Sequence, residues 1–209
     1  MKLYDYTVAP NPRRVRIFLA EKGIALPTIQ VDLRAGEQFT PEFRAINPAC
    51  TVPVLEFDNG QRIAEVVAIC VYFEAIHPDP PLMGIGPQDR AIVAAWQSRA
   101  EREGLLAVAE AFRNSTPGLK GRALPGPDNY DQIPALAERG RARVARFFEA
   151  IDRALADREF VAGDRYSIAD ITALVTVDFA AWIKLSIPGA CRHLDRWHKA
   201  MAARPSATA

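Results

Sequence analysis

Three residues in the first third of the chain have the types and positions that a ligand-binding site needs. Val52 and Pro53 begin a short apolar stretch, and Glu65 follows a turn and precedes an apolar helix. Because proline donates no backbone hydrogen bond, Pro53 belongs at the beginning or the edge of a strand. An X-Pro bond adopts the cis form at low cost, and a cis bond here would leave the N–H and C=O of Val52 free for the main chain of a ligand. The alternative is an ordinary structural role, with Pro53 starting a strand and Glu65 capping a helix.

The elements around these residues alternate between strands and helices. The first helix is expected to begin at Asn11 as its N-cap, because asparagine is a favoured cap and the following proline is tolerated in the first turn. Gly23 is expected to end that helix in a left-handed conformation. The full prediction is strands over 2–5, 28–33, 52–55 and 61–64, helices over 11–23, 42–46 and 66–76, and a hairpin turn at 58–60. This mixed order favours an α/β unit.

The rest of the chain is predicted to be helical. Residues 79–88 are rich in proline and glycine, which is typical of a linker. Ser167 and Asp170 have the spacing of a capping box, which predicts the start of the most apolar helix. Helices are predicted over 90–112, 134–156, 168–182 and 191–203, with a loop over 116–133. We therefore expect two domains, residues 1–78 and 89–209, joined by the linker.

Composition and charge argue against several classes of function. The 209 residues carry a formal net charge of +1, so no basic surface suggests nucleic acid or an anionic membrane as a partner. No apolar run is long enough to span a bilayer, and the chain starts on strand-like sequence rather than on a signal peptide. The cysteines and histidines show no ligand spacing, so we expect no metal site and no disulfide bond. These observations predict a cytoplasmic protein.

Two motifs resemble those of the soluble glutathione S-transferases. The first is N-P-x-x-x-V-P-V-L at 47–55, followed by a D-N-G turn and by I-A-E-x-x-A-I at 63–69, and it resembles the glutathione-binding half of that family. The second, at 161–171, resembles the helix-capping motif of the C-terminal half. The resemblance implies a thioredoxin-like α/β N-terminal domain, an all-α C-terminal domain that lines the electrophile site, and a homodimer. It also implies conjugation of glutathione to small hydrophobic electrophiles, a reaction of detoxification.

The resemblance assigns the groups of glutathione to particular residues. The main chain of Val52 would pair with the cysteinyl part, and Glu65 would bind the γ-glutamyl ammonium. Val66 stands where the family usually has a serine for the γ-glutamyl carboxylate, so only its backbone N–H remains. Gln38 and Cys50 take positions near the glycyl carboxylate, where no aligned basic side chain is found, and we expect a modest affinity. The expected glutathione-binding residues are therefore Gln38, Cys50, Val52, Pro53, Glu65 and Val66.

The residue that activates the thiol departs from the pattern of the family. The family uses a serine, a tyrosine or a cysteine before or at the start of the first helix, and the aligned positions here are Ala9, Asp5 and Pro10 respectively. An atypical branch without these residues shares the A-x-x-P-x-R-V-R-I start and a T-P-G-L segment. Three alternatives stay open: the side-chain amide of Asn11, the phenol of Tyr6, or a water held by polar groups of the second domain. The candidates for holding that water are Asn114, Ser115 and Thr116.

Two other functions are compatible with this resemblance. The main alternative is a glutathione-transferase-like binding protein with little or no turnover, which the missing serine, tyrosine or cysteine supports. A structural interaction module, like those fused to translation factors, is the third. An active enzyme should lower the pKa of the glutathione thiol on binding, and a binding protein should not.

Overall fold

The computed structural model describes all 209 residues. Its N-terminal part is built on a sheet of four strands, β1 (Lys2–Asp5), β2 (Thr28–Gln30), β3 (Val54–Glu56) and β4 (Arg62–Ala64). The strand order is β2-β1-β3-β4, with β1 parallel to β2 and antiparallel to β3, and with β3 antiparallel to β4. Helix α1 (Pro10–Glu21) follows β1, α2 (Pro41–Ile46) precedes β3, and α3 (Val66–Ile76) follows β4. This arrangement confirms the predicted thioredoxin-like α/β fold.

The start of α1 differs from the prediction. Ala9 is the N-cap residue, with an extended backbone and no side-chain cap, and the helix begins at Pro10. Asn11 is therefore the second helical residue, and the prediction that it caps the helix is wrong. Pro10 and Pro12 both fit the first turn, because the N–H groups of that turn have no partner within the helix. The predicted end is confirmed, since Gly23 has a left-handed φ of +66° just after the helix.

Strand β2 is shorter and more exposed than predicted. Only three residues pair with β1, and all three are exposed at this edge of the sheet. The side chain of Asp32 accepts hydrogen bonds from the N–H groups of Arg34 and Ala35, at 2.9 and 3.1 Å. Because this turn takes the backbone away from the sheet, the predicted extension of the strand to residue 33 is wrong.

The C-terminal part is helical, as predicted. Its helices are α4 (Gly86–Arg99), α5 (Leu106–Ser115), α6 (Pro134–Ala154), α7 (Ile168–Ala180) and α8 (Arg192–Ala202). A π-helical turn over Ala100–Leu105 joins α4 to α5, where a single helix over 90–112 was predicted. Gly104 lies in this turn, and a Cβ atom there would come within 2.7 Å of the Phe147 ring, so only glycine lets the turn pack against α6. None of the helices is both long enough and apolar enough to cross a membrane.

Helix α7 lies at the centre of the C-terminal part. Ser167 and Asp170 form the predicted capping box, and every residue of the helix except Asp178 is buried. The Asp170 carboxylate also accepts hydrogen bonds from the N–H of Val161 at 2.8 Å and from the indole of Trp197 at 3.1 Å. Burial raises the pKa of Asp170 to about 6, against the effect of these bonds. The capping box therefore ties the start of α7 to the preceding segment and to α8.

The sheet packs on both of its faces. Because successive residues of a strand point to opposite sides, Leu3 and Leu55 join a large apolar core that continues into the helical part. Tyr4 faces the other side, where it packs with Phe43 of α2 and with Val52. This smaller apolar cluster of Tyr4, Phe43 and Val52 therefore holds in place the segment in which the sequence predicts a binding site.

Candidate functional site

Val52 presents an unpaired main chain beside a cis proline. The Val52-Pro53 bond is cis, and Val52 is only 7% exposed, since it packs with Tyr4 and Phe43. Neither its N–H nor its C=O makes a hydrogen bond within the chain. Backbone groups of a buried residue are nearly always paired, so this donor and acceptor are available to the main chain of a ligand.

The side chain of Asn47 holds the loop that leads to Val52. Its Nδ2 donates to the carbonyl oxygen of Thr51 at 2.8 Å, and its Oδ1 accepts from the N–H of Ala49 at 3.1 Å. Cys50 has a left-handed φ of +54° and is buried, with its Sγ 3.5 Å from the carbonyl oxygen of Pro48. The Cys50 thiol is thus engaged within the loop.

Glu65 stands free at the start of α3. Its backbone is left-handed, with a φ of +72°, which is uncommon for a residue with a side chain and costs about 1–3 kcal/mol. Its exposed carboxylate makes no capping hydrogen bond, so the alternative of a helix-capping acid is wrong. Val66 follows as a buried residue whose N–H has no partner within the chain. A free carboxylate and a free N–H therefore stand side by side.

Gln38 also has an unpaired polar atom. It lies in a 3₁₀ turn, Glu37–Phe39, before α2, and its Oε1 is enclosed without a hydrogen-bond partner. Such an atom is rare in a folded protein, because leaving it unpaired costs about 1–3 kcal/mol. A ligand that donates a hydrogen bond to this oxygen would remove that cost.

The first turn of α1 has two unpaired donors, and both belong to Asn11. Pro10 and Pro12 have no N–H, and the N–H of Arg13 donates to the carbonyl oxygen of the N-cap residue at 3.2 Å. The backbone N–H of Asn11 has no partner. Its side-chain Oδ1 accepts from Nη1 of Arg14 at 3.1 Å, which leaves its Nδ2 as a free donor. The positive end of the helix dipole lies at the same place.

A buried network behind Asn11 holds Arg14 in place. Arg14 is 1% exposed, its Nε donates to the hydroxyl of Thr172 at 3.1 Å, and its Nη1 reaches the Glu101 carboxylate at 3.3 Å. The Thr172 hydroxyl donates to Oε1 of Gln97 at 2.7 Å, and Nε2 of Gln97 donates to Glu101 at 3.2 Å. The network joins α1 to α4, to the π-helical turn and to α7. Nothing in the sequence marks Arg14 as buried, since its partners lie far away along the chain.

The alternatives to Asn11, which are Tyr6 and the polar residues at the end of α5, are packed or hydrogen-bonded within the protein. Tyr6 is half-buried and packs against the cluster that anchors Val52. Asn114 donates to the carbonyl oxygen of Glu110 and accepts from the N–H of Ile133, both at 2.9 Å. The hydroxyl of Ser115 donates to a carbonyl oxygen of the preceding turn at 2.7 Å. These bonds fasten the end of α5 and leave one N–H of Asn114 and the lone pairs of Ser115 for a water.

The loop between α5 and α6 reaches across to the N-terminal part. The guanidinium carbon of Arg122 lies 4.0 Å from the centre of the Phe39 ring. Gly126 lies close to Ala49, because a Cβ atom on it would be 3.9 Å from the Ala49 carbonyl oxygen. The loop therefore lies beside both Gln38 and the segment that precedes Val52. The sequence predicts the loop but gives no sign of what it contacts.

An apolar groove lies elsewhere, between α3 and α4. It has a volume of about 730 Å³, and its walls are mostly apolar. It contains none of the residues predicted to bind glutathione. The apolar side chains that line it include Val67, Val71, Met83, Val93 and Leu106.

Comparison with known proteins points to a single family. Residues 8–76 match the glutathione S-transferase N-terminal domain, and residues 121–205 match the glutathione S-transferase C-terminal domain. Glutathione S-transferase 2 of Saccharomyces cerevisiae is 39% identical over 209 residues, which cover 99% of this chain and 87% of the yeast protein. A solved structure of a glutathione S-transferase domain-containing protein from Marinobacter aquaeolei has a TM-score of 0.91 at 42% identity, with 99% of each chain covered. The crystal structure of Gtt2 from S. cerevisiae also has a TM-score of 0.91, at 39% identity, and the match covers 99% of this chain and 98% of that one. With both domain matches in sequence order and relatives aligned along nearly its whole length, the chain belongs to the glutathione S-transferase family.

Proposed function

We propose that the protein binds glutathione in the cleft between Val52 and the start of α1 and conjugates it, through its sulfur, to a small hydrophobic electrophile. The observation that carries this proposal is the unpaired N–H and C=O of Val52 beside the cis Pro53. A cysteine-containing peptide fits there, because its own main chain supplies the matching acceptor and donor. The yeast relative is named a glutathione S-transferase, which favours turnover over a binding protein without it.

The remaining groups of glutathione have partners on either side of Val52. Glu65 offers its free carboxylate to the γ-glutamyl ammonium in a charge-assisted bond. The N–H of Val66 binds the γ-glutamyl carboxylate at the start of α3, where the helix dipole favours an anion. At the glycyl end, near the loop of Cys50, Oε1 of Gln38 accepts a hydrogen bond from the glycyl N–H. Compared with a serine at the position of Val66, a contact of about 1–2 kcal/mol is missing.

In this proposal Asn11 activates the thiol. Its Nδ2 and its N–H both donate to the sulfur, and the end of the helix dipole lowers the pKa of a thiol placed there. The thiol proton leaves to water, the thiolate attacks the electrophilic carbon, and a C–S bond forms as the leaving group departs with its electron pair. The alternatives that substitutions must separate are the phenol of Tyr6 and a water held by Asn114, Ser115 or Thr116.

The same proposal includes the domain boundaries, the association of two copies and the cellular location. Residues 1–78 form the glutathione-binding domain, 79–88 the linker, and 89–209 the domain that lines the electrophile site. Two copies associate through the groove between α3 and α4, where Val71 and Leu106 are 49% and 53% exposed. All three cysteines are free, which suits the reducing conditions of the cytoplasm, where we place this detoxifying activity.

Calorimetric titration with glutathione in two buffers of different ionisation enthalpy tests the proposal. We expect binding with proton release near neutral pH, because the thiolate forms in the cleft. An assay with a small aryl halide then measures formation of the thioether. Binding without proton release or turnover would support the binding-protein alternative, and a protein that does not bind glutathione would refute the proposal.

A further inference from the structure

Arg122, in the loop between α5 and α6, has a side-chain nitrogen without a hydrogen-bond partner. Its guanidinium carbon lies 4.0 Å from the centre of the Phe39 ring, in a cation–π contact. Its Nη1 is enclosed and has no hydrogen-bond partner, although the residue as a whole is only half-buried. This nitrogen has therefore lost water without gaining an acceptor. Such a group is rare in a folded protein, and the carboxylate of a ligand would supply the missing acceptor.

A second arginine increases the local positive charge. Arg113, near the end of α5, donates from Nη2 to the carbonyl oxygen of Leu124 at 2.9 Å, and its Nε is enclosed without a partner. Burial lowers the pKa of Arg113, and the positive charge of Arg122 lowers it further. The two guanidinium groups thus repel each other, and a bound anion would relieve this repulsion.

The position of Arg122 is beside the proposed glutathione cleft. Phe39, on which it stacks, is the neighbour of Gln38, whose Oε1 is also enclosed and unpaired. Farther along the same loop, Gly126 lies against the carbonyl oxygen of Ala49. The loop therefore runs along both the turn before α2 and the segment that precedes the cis proline, and these two segments border the glycyl end of the proposed site.

We propose that Arg122 is the basic group that binds the glycyl carboxylate of glutathione, while Oε1 of Gln38 accepts a hydrogen bond from the glycyl N–H in the same subsite. This inference rests on the proposed function and completes it. The N-terminal half of the chain has no aligned basic side chain for this carboxylate, and the loop of the helical half supplies one. Arg113 is a positioning residue, because its bond to Leu124 holds the loop against α5.

A guanidinium at this place makes binding depend on the charge of the glycyl carboxylate. Arginine bonds a carboxylate through two parallel N–H groups, and an ester accepts such bonds much more weakly. The glycyl ethyl ester of glutathione is therefore the matched probe, since its γ-glutamyl and cysteinyl groups are unchanged. Any difference between the two ligands reports on this end alone.

Calorimetric titrations of the full chain with both ligands measure the effect. We expect the wild-type protein to bind glutathione about 10- to 100-fold more tightly than the ester. In Arg122→Gln the affinity for glutathione should fall nearly to that for the ester, whose own affinity should change by less than about threefold. Arg122→Lys should keep part of the preference, because the charge remains while the paired N–H geometry is lost.

Lys120→Gln is the matched control, since it removes a positive charge from an exposed position of the same loop. It should bind both ligands like the wild type.

Thermal unfolding without ligand separates a binding role from a structural one. Arg122→Gln removes both the repulsion with Arg113 and the stabilising contact with Phe39, so the two effects oppose each other and its stability should lie close to that of the wild type. Equal affinity of the wild type for glutathione and the ester would overturn the inference, as would an equal loss for both ligands in Arg122→Gln. Glutathione binding itself would stand in either case. A wild-type protein that binds neither ligand would instead overturn the proposed function, and this subsite with it.

Discussion

Nη1 of Arg14 lies 3.1 Å from Oδ1 of Asn11 and 3.3 Å from the Glu101 carboxylate. Arg14 is almost completely buried, while Asn11 is exposed. The hydrogen bond from Arg14 therefore holds the side chain of Asn11 in one orientation at the surface. It also determines which end of the Asn11 amide is available, since the oxygen is occupied and the nitrogen is free. A donor held in this way needs no reorganisation when a thiolate forms beside it.

Replacing Asn11 tests the proposal that its side chain activates the thiol of glutathione. We expect Asn11→Ala to lower kcat/KM for conjugation by about 10- to 100-fold and to raise the apparent pKa of the bound thiol, because a donor to the thiolate is lost. The measurement is kcat/KM as a function of pH. Tyr6→Phe, Ser115→Ala and Thr116→Val remove the hydroxyls of the alternatives and should leave the profile unchanged. If one of these three shifts the profile and Asn11→Ala does not, the assignment of thiol activation to Asn11 is wrong.

Glu65 should contribute to binding and not to stability. Because its carboxylate makes no capping bond, Glu65→Gln should weaken glutathione binding about tenfold or more while the free energy of unfolding stays the same. Glu65→Gly should bind as weakly, but it should be more stable than Glu65→Gln by about 1 kcal/mol, since glycine adopts a φ of +72° without strain. Calorimetry and urea denaturation measure the two effects. Unchanged glutathione affinity in Glu65→Gln would exclude this residue from the site.

The features that the sequence predicts well are those whose partners are close along the chain. The capping box of Ser167 and Asp170 and the left-handed Gly23 act within one helical turn, and both are confirmed. The prediction that Asn11 caps α1 is wrong because Pro10, which is equally suited to the first turn, begins the helix one residue earlier. The sequence therefore does not determine which residue is the N-cap. Local competition of this kind accounts for the shortened β2 as well, which the turn at Asp32 ends early.

The arginines of the site could not be predicted, because their partners are distant along the chain. Arg14 bonds to Thr172, 158 residues later, and Arg122 stacks on Phe39 in the other half of the protein. Arginine in a helix or a loop is most often exposed, so neither residue type nor spacing indicates burial. Val52 and Glu65 were identified from their motif, but only the structure shows that their polar groups are unpaired.

The ion pair between α1 and the C-terminal segment should make stability depend on pH. Glu21 accepts hydrogen bonds from Arg204 at 2.8 and 2.7 Å. Burial alone raises the pKa of Glu21, but the bonds from Arg204 and Ser206 outweigh burial and hold this pKa below its ordinary value of 4.5. Because the folded pKa is the lower one, the unfolded chain takes up protons first as the pH falls. The stabilisation is therefore complete above pH 4.5 and is lost as the pH drops through the folded pKa.

Glu21→Gln is the corresponding variant. Its Tm should lie below that of the wild type at pH 7, by about 2–4 °C for each kcal/mol lost, and the difference should shrink below pH 4.5. Asp195→Asn is the control, since the Asp195–Lys199 pair at 2.6 Å is exposed on both sides and should contribute little at any pH. A difference for Glu21→Gln that persists to the lowest pH would mean that this residue stabilises by packing and not by charge.

The groove between α3 and α4 should be covered by a second copy of the chain. Light scattering should then give twice the 23.0 kDa of one chain. Leu106→Glu replaces an apolar side chain of the groove by a carboxylate and should give a monomer, because desolvating that charge in the interface costs more than its pairing with Arg102 of the same groove returns. Ile133→Glu, at a site that is 51% exposed and outside the groove, should stay dimeric. The monomer should still bind glutathione, since the groove shares no residue with the cleft around Val52, and a dimeric Leu106→Glu would show that the chains associate through another surface.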